Sequence, residues 1–473
     1  MLDLPKVKHQ RRQLGIPNPR HFVPLCQRIE YQWAELQKHF ATSRLSLSTP
    51  IPGPDRAART EYYLRDVPYQ RVLRSTGARV VLKTDIMRYY GSIYTHSIPW
   101  ALHTKAVAKR ERGPTLFGNV LDQACRSLQD GQTIGVPIGP DTSLILAEVV
   151  GTALDAYLQD VDPSLQGCRY IDDYYLYFPS VATAEKVYEA LVRVANEYQL
   201  ETNAGKTTIA TLPEPLEAAW VFDLQHHYLS KSFPTQRGNI LTYFSKAFQF
   251  SKEYPDQSVL QYALRRTTSY FVHPENWGLY ESLVLRAMID EPSVLPIACE
   301  ILESYRAAEY PVDVEKIGET LSELIDHHSG LGHVFEVVWA LWIGRQLHIQ
   351  LKAETLARLN DTSNALVCIL ALDLMERGTG AGLNANHWKT LISKAELFGP
   401  QWLLVYEAQA KGWLVDSKDG PFGGDPFFTS LNELNVEFYH QAATGRVFVP
   451  REEGQSEHSA PGGESTHEEF VSH

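Results

Sequence analysis

Cysteine is scarce in this chain, five in 473 residues. Cys26, Cys125, Cys168, Cys299 and Cys368 form no C-x-x-C pair and no even disulfide framework, which argues against secretion and a structural zinc site. Long apolar runs are missing too. The longest resemble Val337-Val338-Trp339-Ala340-Leu341-Trp342-Ile343, well short of the roughly 18 residues a bilayer span needs. The opening Met-Leu-Asp-Leu-Pro-Lys-Val-Lys holds no apolar signal core. These absences predict a cytoplasmic protein with no membrane partner. Positive charge is also short overall, 44 Lys+Arg against 56 Asp+Glu for a net −12. Its distribution matters more than its sum. Residues 1–130 hold 21 basic against 10 acidic residues, so the remainder holds 23 against 46. A basic front on an acidic body is an electrostatic footprint for a polyanion.

What is plentiful is core material: 44% hydrophobic and 11% aromatic residues, enough for two or three domains. Residues 1–235 mix short β-like runs with helices. Residues 236–450 read as almost wholly helical, with apolar side chains at three-and-four spacing, as in Leu366-Val367…Leu370…Leu372…Leu374. Asp256, Pro274, Pro292, Pro311, Gly330 and Asp361 punctuate stacked antiparallel helices, only loosely repeat-like because no strict repeat is present. Residues 451–473, rich in Glu, Gly, Ser and His, are expected to be a disordered acidic tail.

Four segments of the first region carry chemistry. Val80-Val81-Leu82-Lys83-Thr84-Asp85 reads as a buried strand ending in a carboxylate, followed by a turn and a helix capped by Ser97. Gly135-Val136-Pro137-Ile138-Gly139-Pro140 reads as a stiffened loop leading into a helix, with Asp141 or Ser143 as candidate cap. Glycine at Gly139 admits close approach of another backbone or a nucleotide. Arg169-Tyr170-Ile171-Asp172-Asp173-Tyr174-Tyr175 reads as a hairpin with Asp172 and Asp173 in its turn. Lys206 falls in a turn before another β-like run. Taken singly, each has an ordinary structural reading. In sequence, they place three carboxylates on one sheet face, a donor set of hard oxygens suited to two Mg²⁺ ions about 3.5–4 Å apart, with Mn²⁺ as a substitute. His226-His227 and His327-His328 with His333 are the other ligand types; with no Cys or acidic partner at a recognisable spacing, surface or core roles are expected for them.

The combination resembles the palm of a reverse transcriptase, with Tyr170-Ile171-Asp172-Asp173 as the Tyr-x-Asp-Asp box and Asp85 to Tyr90 as the first-aspartate motif. The Gly-Val-Pro-Ile-Gly-Pro loop and the opening Arg11-Arg12-Gln13-Leu14-Gly15-Ile16-Pro17-Asn18-Pro19 are similar to those of bacterial abortive-infection and other defence-associated reverse transcriptases. So are His327-His328-Ser329, Glu336 to Trp342 and Trp402 to Ala408 in the helical part. The resemblance implies an α+β right-hand palm with reduced fingers over 1–235 and an all-α C-terminal domain over 236–450. Asp85, Asp172 and Asp173 would be the catalytic, metal-binding carboxylates, with the Ile86 carbonyl as a further ligand. Tyr90 would be the steric gate against a ribose 2′-hydroxyl, Lys206 the triphosphate lysine, and Arg11 and Arg12 phosphate contacts.

Further implied are a bacterial cytoplasmic location, dNTPs and nucleic acid (RNA template or DNA product) as partners, a homo-oligomer and a role in antiphage defence. Some members of that group synthesise DNA without a template from a protein tyrosine; with 24 tyrosines the sequence selects none. The chain departs from templated enzymes in lacking the Gln-Gly pair of the middle motif, in having no Pro after Ser143, and in showing no recognisable endonuclease or RNase H segment. The alternatives are a catalytically silent polymerase fold that binds nucleic acid, and a palm devoted to ribonucleotide or cyclase chemistry.

Overall fold

The computed structural model describes residues 2–6, 10–54, 56–414, 420 and 422–448; the tail expected over 451–473 lies outside them. Among the described residues, Gly15–Glu217 forms one compact unit, and residues 218–448 form the other, together with those up to Leu14. The division runs between Glu217 and Ala218 rather than at 235. The reason is packing: the helix Ala219–Gln225 buries Trp220, Val221 and Leu224 in the helical core. The chain is α+β.

The first unit is built on a four-stranded antiparallel sheet with spatial order Gln166–Tyr170, Asp173–Phe178, Val80–Asp85, Thr208–Thr211. Strand alternation sends Val80, Leu82, Tyr174, Leu176 and Phe178 into one core. That core is completed by Val149, Val150 and Leu154 from the helix Asp141–Val161 and by Val187, Leu191 and Val194 from the helix Val181–Glu197. Each such Leu or Val contributes about 1.5–3 kcal/mol on leaving water. The alternate residues Lys83, Asp85, Asp173, Tyr175 and Tyr177 stand on the other face, where a smaller cluster of Leu47, Val67, Cys168 and Tyr170 packs.

The second unit is helical from Ala219–Gln225 to Pro426–Glu433 and has two apolar cores. Pro274 and Pro292 each open a 3₁₀ turn that leads into a helix, where a missing N–H costs nothing. A short N-terminal hairpin, Leu2–Pro5 paired with Arg11–Leu14, sets Leu2 and Leu4 on the larger core. Asp373 is fully buried and accepts hydrogen bonds from Arg345 Nε (2.5 Å), Tyr439 OH (2.7 Å), Gln441 Nε2 (2.9 Å) and Arg377 Nε (3.0 Å). All five cysteines are free thiols, and burial pushes Cys168 up to about 11 and Cys125 and Cys368 up to about 12, so these three stay protonated and unreactive. Among the described residues no helix is long and apolar enough to cross a membrane.

Candidate active site at the end of the antiparallel sheet

The strands Val80–Asp85 and Asp173–Phe178 pair so that Asp85 lies directly opposite Asp173. Side chains of such a pair share a face with Cβ atoms about 4.5–5.5 Å apart, so two carboxylates meet at the sheet end. The hairpin turn is Ile171–Asp172, one residue earlier than the sequence suggests, and Asp173 already belongs to the strand. Register explains the shift. Only this pairing keeps Tyr174, Leu176 and Phe178 on the core face, and a slip of one residue would reverse every side chain.

Ile171 has φ +56°, a left-handed conformation that a β-branched residue rarely adopts. Its backbone is held from both sides: its N–H donates to Ser48 Oγ at 2.8 Å, and its carbonyl accepts from Arg169 Nη1 at 2.8 Å. Arg169 is itself buried, 1% exposed, between Glu148 (Nη2–Oε1 2.7 Å) and Asp155 (Nε–Oδ2 2.9 Å). Burial opposes its charge, but Asp155 and Glu148 outweigh it and hold the guanidinium well above its ordinary value. The two acids lie seven residues apart on the helix Asp141–Val161, hence on one side of it. Between them is Gly151, where an added Cβ would come within 2.8 Å of the Arg169 guanidinium carbon. This brace is absent from the sequence reading. Its signal was an acid pair at two-turn spacing flanking a glycine, plus an arginine next to the Tyr-x-Asp-Asp box.

Lys206 reaches the carboxylates through a compact turn. Asn203 N–H donates to the Asp85 carbonyl (2.8 Å), and Lys206 N–H and Thr207 N–H return to the Asn203 carbonyl (3.1 and 3.0 Å). Lys206 Nζ then donates to Asp85 Oδ2 at 2.7 Å. Partial burial lowers the Lys206 pKa, but the hydrogen bond and charge of Asp85, with Asp173 and Asp172 adding, reverse this and leave it raised. All three sequence-predicted acids thus act on one ammonium. The other Asp85 oxygen, Oδ1, is buried and makes no hydrogen bond. A buried carboxylate oxygen with no donor is unfavourable unless a cation supplies the missing partner, so the donor set fits a hard divalent ion. The three carboxylates do not, as they stand, bring one ligand atom each within 4.8 Å of one another; among the described residues, His328, His333 and Glu336 of the helical unit do.

Ile86 N–H is bound by the Asp172 carbonyl at 3.2 Å, and Met87 N–H by the Glu201 carbonyl at 2.8 Å. In a trans peptide the Ile86 carbonyl opposes the Met87 N–H, so it faces the Asp172 side. Tyr90 is half-buried, with its ring edge-on to Tyr89 at 6.1 Å. The glycine loop lies against this turn: Val136 N–H donates to the Tyr90 carbonyl and Gly135 N–H to the Ile93 carbonyl, each at 2.8 Å. Gly135 (φ +87°) packs against the Gly91 backbone, and Gly139 (φ +119°) faces the Gly15 carbonyl.

Several local expectations change. Ser97 is the first residue of its helix with no capping bond, and His96 stands at the cap. Pro140 holds the cap position of the long helix, while Asp141 pairs with Arg56 and accepts from Ala58 N–H (3.2 Å). Arg11 and Arg12 belong to the helical unit's hairpin, and Arg11 is engaged by Asp3 and Glu336.

No family model matches the chain, and no curated protein does. Among solved structures, apo telomerase from Candida tropicalis is similar at a TM-score of 0.33 and 11% identity, over 76% of this chain and 68% of that one.

Proposed function

We propose that this chain is a DNA polymerase of the reverse-transcriptase kind, RNA-directed or template-independent, whose fingers and palm lie in the first unit. The observation that carries this reading is the meeting of Asp85, Asp172, Asp173 and Lys206 at one sheet end, with a buried Asp85 oxygen lacking a partner. In the reaction, a primer hydroxyl attacks the α-phosphorus of a dNTP. The hydroxyl gives up its proton to solvent as the new P–O bond forms, the bond from the α-phosphorus to its bridging oxygen breaks, and pyrophosphate leaves with that electron pair.

Asp85, Asp172 and Asp173, with the Ile86 carbonyl, would hold two Mg²⁺ ions, or Mn²⁺ in their place. When bound, such ions supply charge stabilisation and lower the pKa of the attacking hydroxyl. Lys206, kept protonated by its three acidic neighbours, moves from Asp85 to the triphosphate and neutralises the leaving group. Tyr90, whose carbonyl accepts from Val136 N–H of the glycine loop, would be the steric gate against a ribose 2′-hydroxyl. Gly139, beside the Gly15 carbonyl, would be the loop's nucleotide-binding position. A role in antiphage defence is part of the proposal and rests wholly on the sequence resemblance of the 135–140 loop, the 11–19 segment and the segments of the helical part.

Purified protein with Mg²⁺ and labelled dNTPs should incorporate label into polymer, and Asp172→Asn should abolish it. Nucleic-acid binding without incorporation, across metals and primers, would instead support the catalytically silent alternative.

A further inference from the structure

We propose that His328, His333 and Glu336 form a second metal site, for a divalent transition-metal ion of the zinc type, at a corner between two helices of the helical unit. The helix Val314–Ser329 ends just past His328, and His333 occupies the cap position of the helix Val334–Gln346. A tight turn joins them, closed by His333 N–H donating to the His328 carbonyl at 3.1 Å. This folds one imidazole back on the other, with the two Nδ1 atoms 2.9 Å apart. Glu336 follows one turn into the second helix, and its Oε1 is 3.9 Å from His328 Nδ1. One ligand atom from each of the three residues lies within 4.8 Å of the other two.

The chemistry of the set selects the ion. Two imidazole nitrogens and one carboxylate oxygen suit Zn²⁺, Co²⁺ or Ni²⁺, whereas Mg²⁺ prefers oxygen alone. Two bare nitrogen lone pairs at 2.9 Å repel unless a proton or a cation lies between them. Metal–nitrogen bonds of about 2.0–2.1 Å span that gap at close to a right angle, and Glu336 Oε1, 3.9 Å from His328 Nδ1, lies within the sum of two such bonds.

The surroundings favour the ion as well. Arg11 Nη1 donates to Glu336 Oε1 at 2.9 Å, and Nη2 contacts Oε2, which orients the carboxylate as outer-shell partners of metal ligands do. A carboxylate oxygen has lone pairs for both a donor and an ion. Arg11 Nε is bound to Asp3 Oδ2 at 2.5 Å, and Asp3 Oδ1 caps the second helix by accepting from Val334 N–H (2.8 Å) and Phe335 N–H (3.1 Å). Asp3 and Glu336 outnumber Arg11, so the cluster carries a net negative charge that attracts a cation. Glu336 and His328 are buried, and half-buried His333 gives an entry route.

The test uses the full-length, tag-free protein, stripped by chelator, incubated with Zn²⁺ and passed through gel filtration before metal analysis, with Co²⁺ absorption as a second readout. Wild type should retain one zinc ion per chain and melt at a higher temperature with zinc than without. His333→Ala should lose both effects, His333→Cys should restore binding through its thiolate, and His226→Ala, at an exposed histidine, should behave as wild type. A wild type that emerges metal-free, or a His333→Ala protein that holds zinc equally well, would overturn the site and leave an N–H···N hydrogen bond between the two rings as its whole content.

Discussion

Lys206 is where the three aspartates act together, and its side chain is 64% exposed. An ion pair so open to solvent contributes at most about 1 kcal/mol to stability. Its folded pKa is raised, so the contribution is complete below the ordinary lysine value and lost as pH climbs through the folded one. Melting followed at alkaline pH should therefore fall more steeply for wild type than for Lys206→Met, and the two curves should converge at the highest pH. At neutral pH the same variant should lose about 10²-fold in nucleotide incorporation. A large fall in melting temperature at neutral pH would show that Lys206 serves folding rather than the leaving group. The places of these residues were legible in the sequence from strand and turn signals: acids at a strand end and a hairpin, a lysine in the following turn. The geometry between them was not, since the Lys206–Asp85 contact joins residues 121 apart in sequence.

At the scale of elements, the Ile171–Asp172 turn, with Ile171 at φ +56°, is held from the helix Asp141–Val161. Arg169 carries the load from Glu148 and Asp155 to the Ile171 carbonyl. Substituting Gly151→Ala drives a methyl into the guanidinium, so we expect a loss of about 1–3 kcal/mol in denaturant unfolding. Incorporation should drop further than stability alone accounts for, because the turn that carries Asp172 relaxes. Wild-type activity in a folded Gly151→Ala protein would refute this coupling. The strands themselves were readable from runs such as Val80-Val81-Leu82, and the helices from their apolar spacing. The exact turn, the Ser97 and Asp141 caps and the Arg169 brace were not. Each depends on which partner arrives from elsewhere in the chain: Arg56 removes Asp141 from capping, and packing of Tyr174, Leu176 and Phe178 sets the turn.

Over the whole molecule, the basic front that composition revealed is partly structural. Arg11 is spent on Asp3 and Glu336, Arg56 on Asp141, Arg71 on Glu214, and Arg74 on the carbonyls of Arg44, Leu45 and Gly167. Net charge along a sequence therefore overstates the positive surface left for a polyanion. The N-terminal hairpin shows the same limit of sequence reading, since Arg11 and Glu336 are 325 residues apart in sequence. Removing the Asp3 cap with Asp3→Ala should cost about 1 kcal/mol. Hydrogen exchange should quicken at Val334 and Phe335, whose amides lose their acceptor, while the amides of Val80–Asp85 and Asp173–Phe178 keep their wild-type protection. Equal acceleration in both units would contradict their assignment as separate compact bodies.

The most direct measurement is labelled-dNTP incorporation by wild type and by Asp85→Asn, Asp172→Asn and Asp173→Asn in parallel, each with its melting curve. The account predicts that all three changes lower the rate by about 10²–10³-fold or more, while each variant still unfolds cooperatively near the wild-type temperature. Wild-type incorporation by any one of them would contradict it.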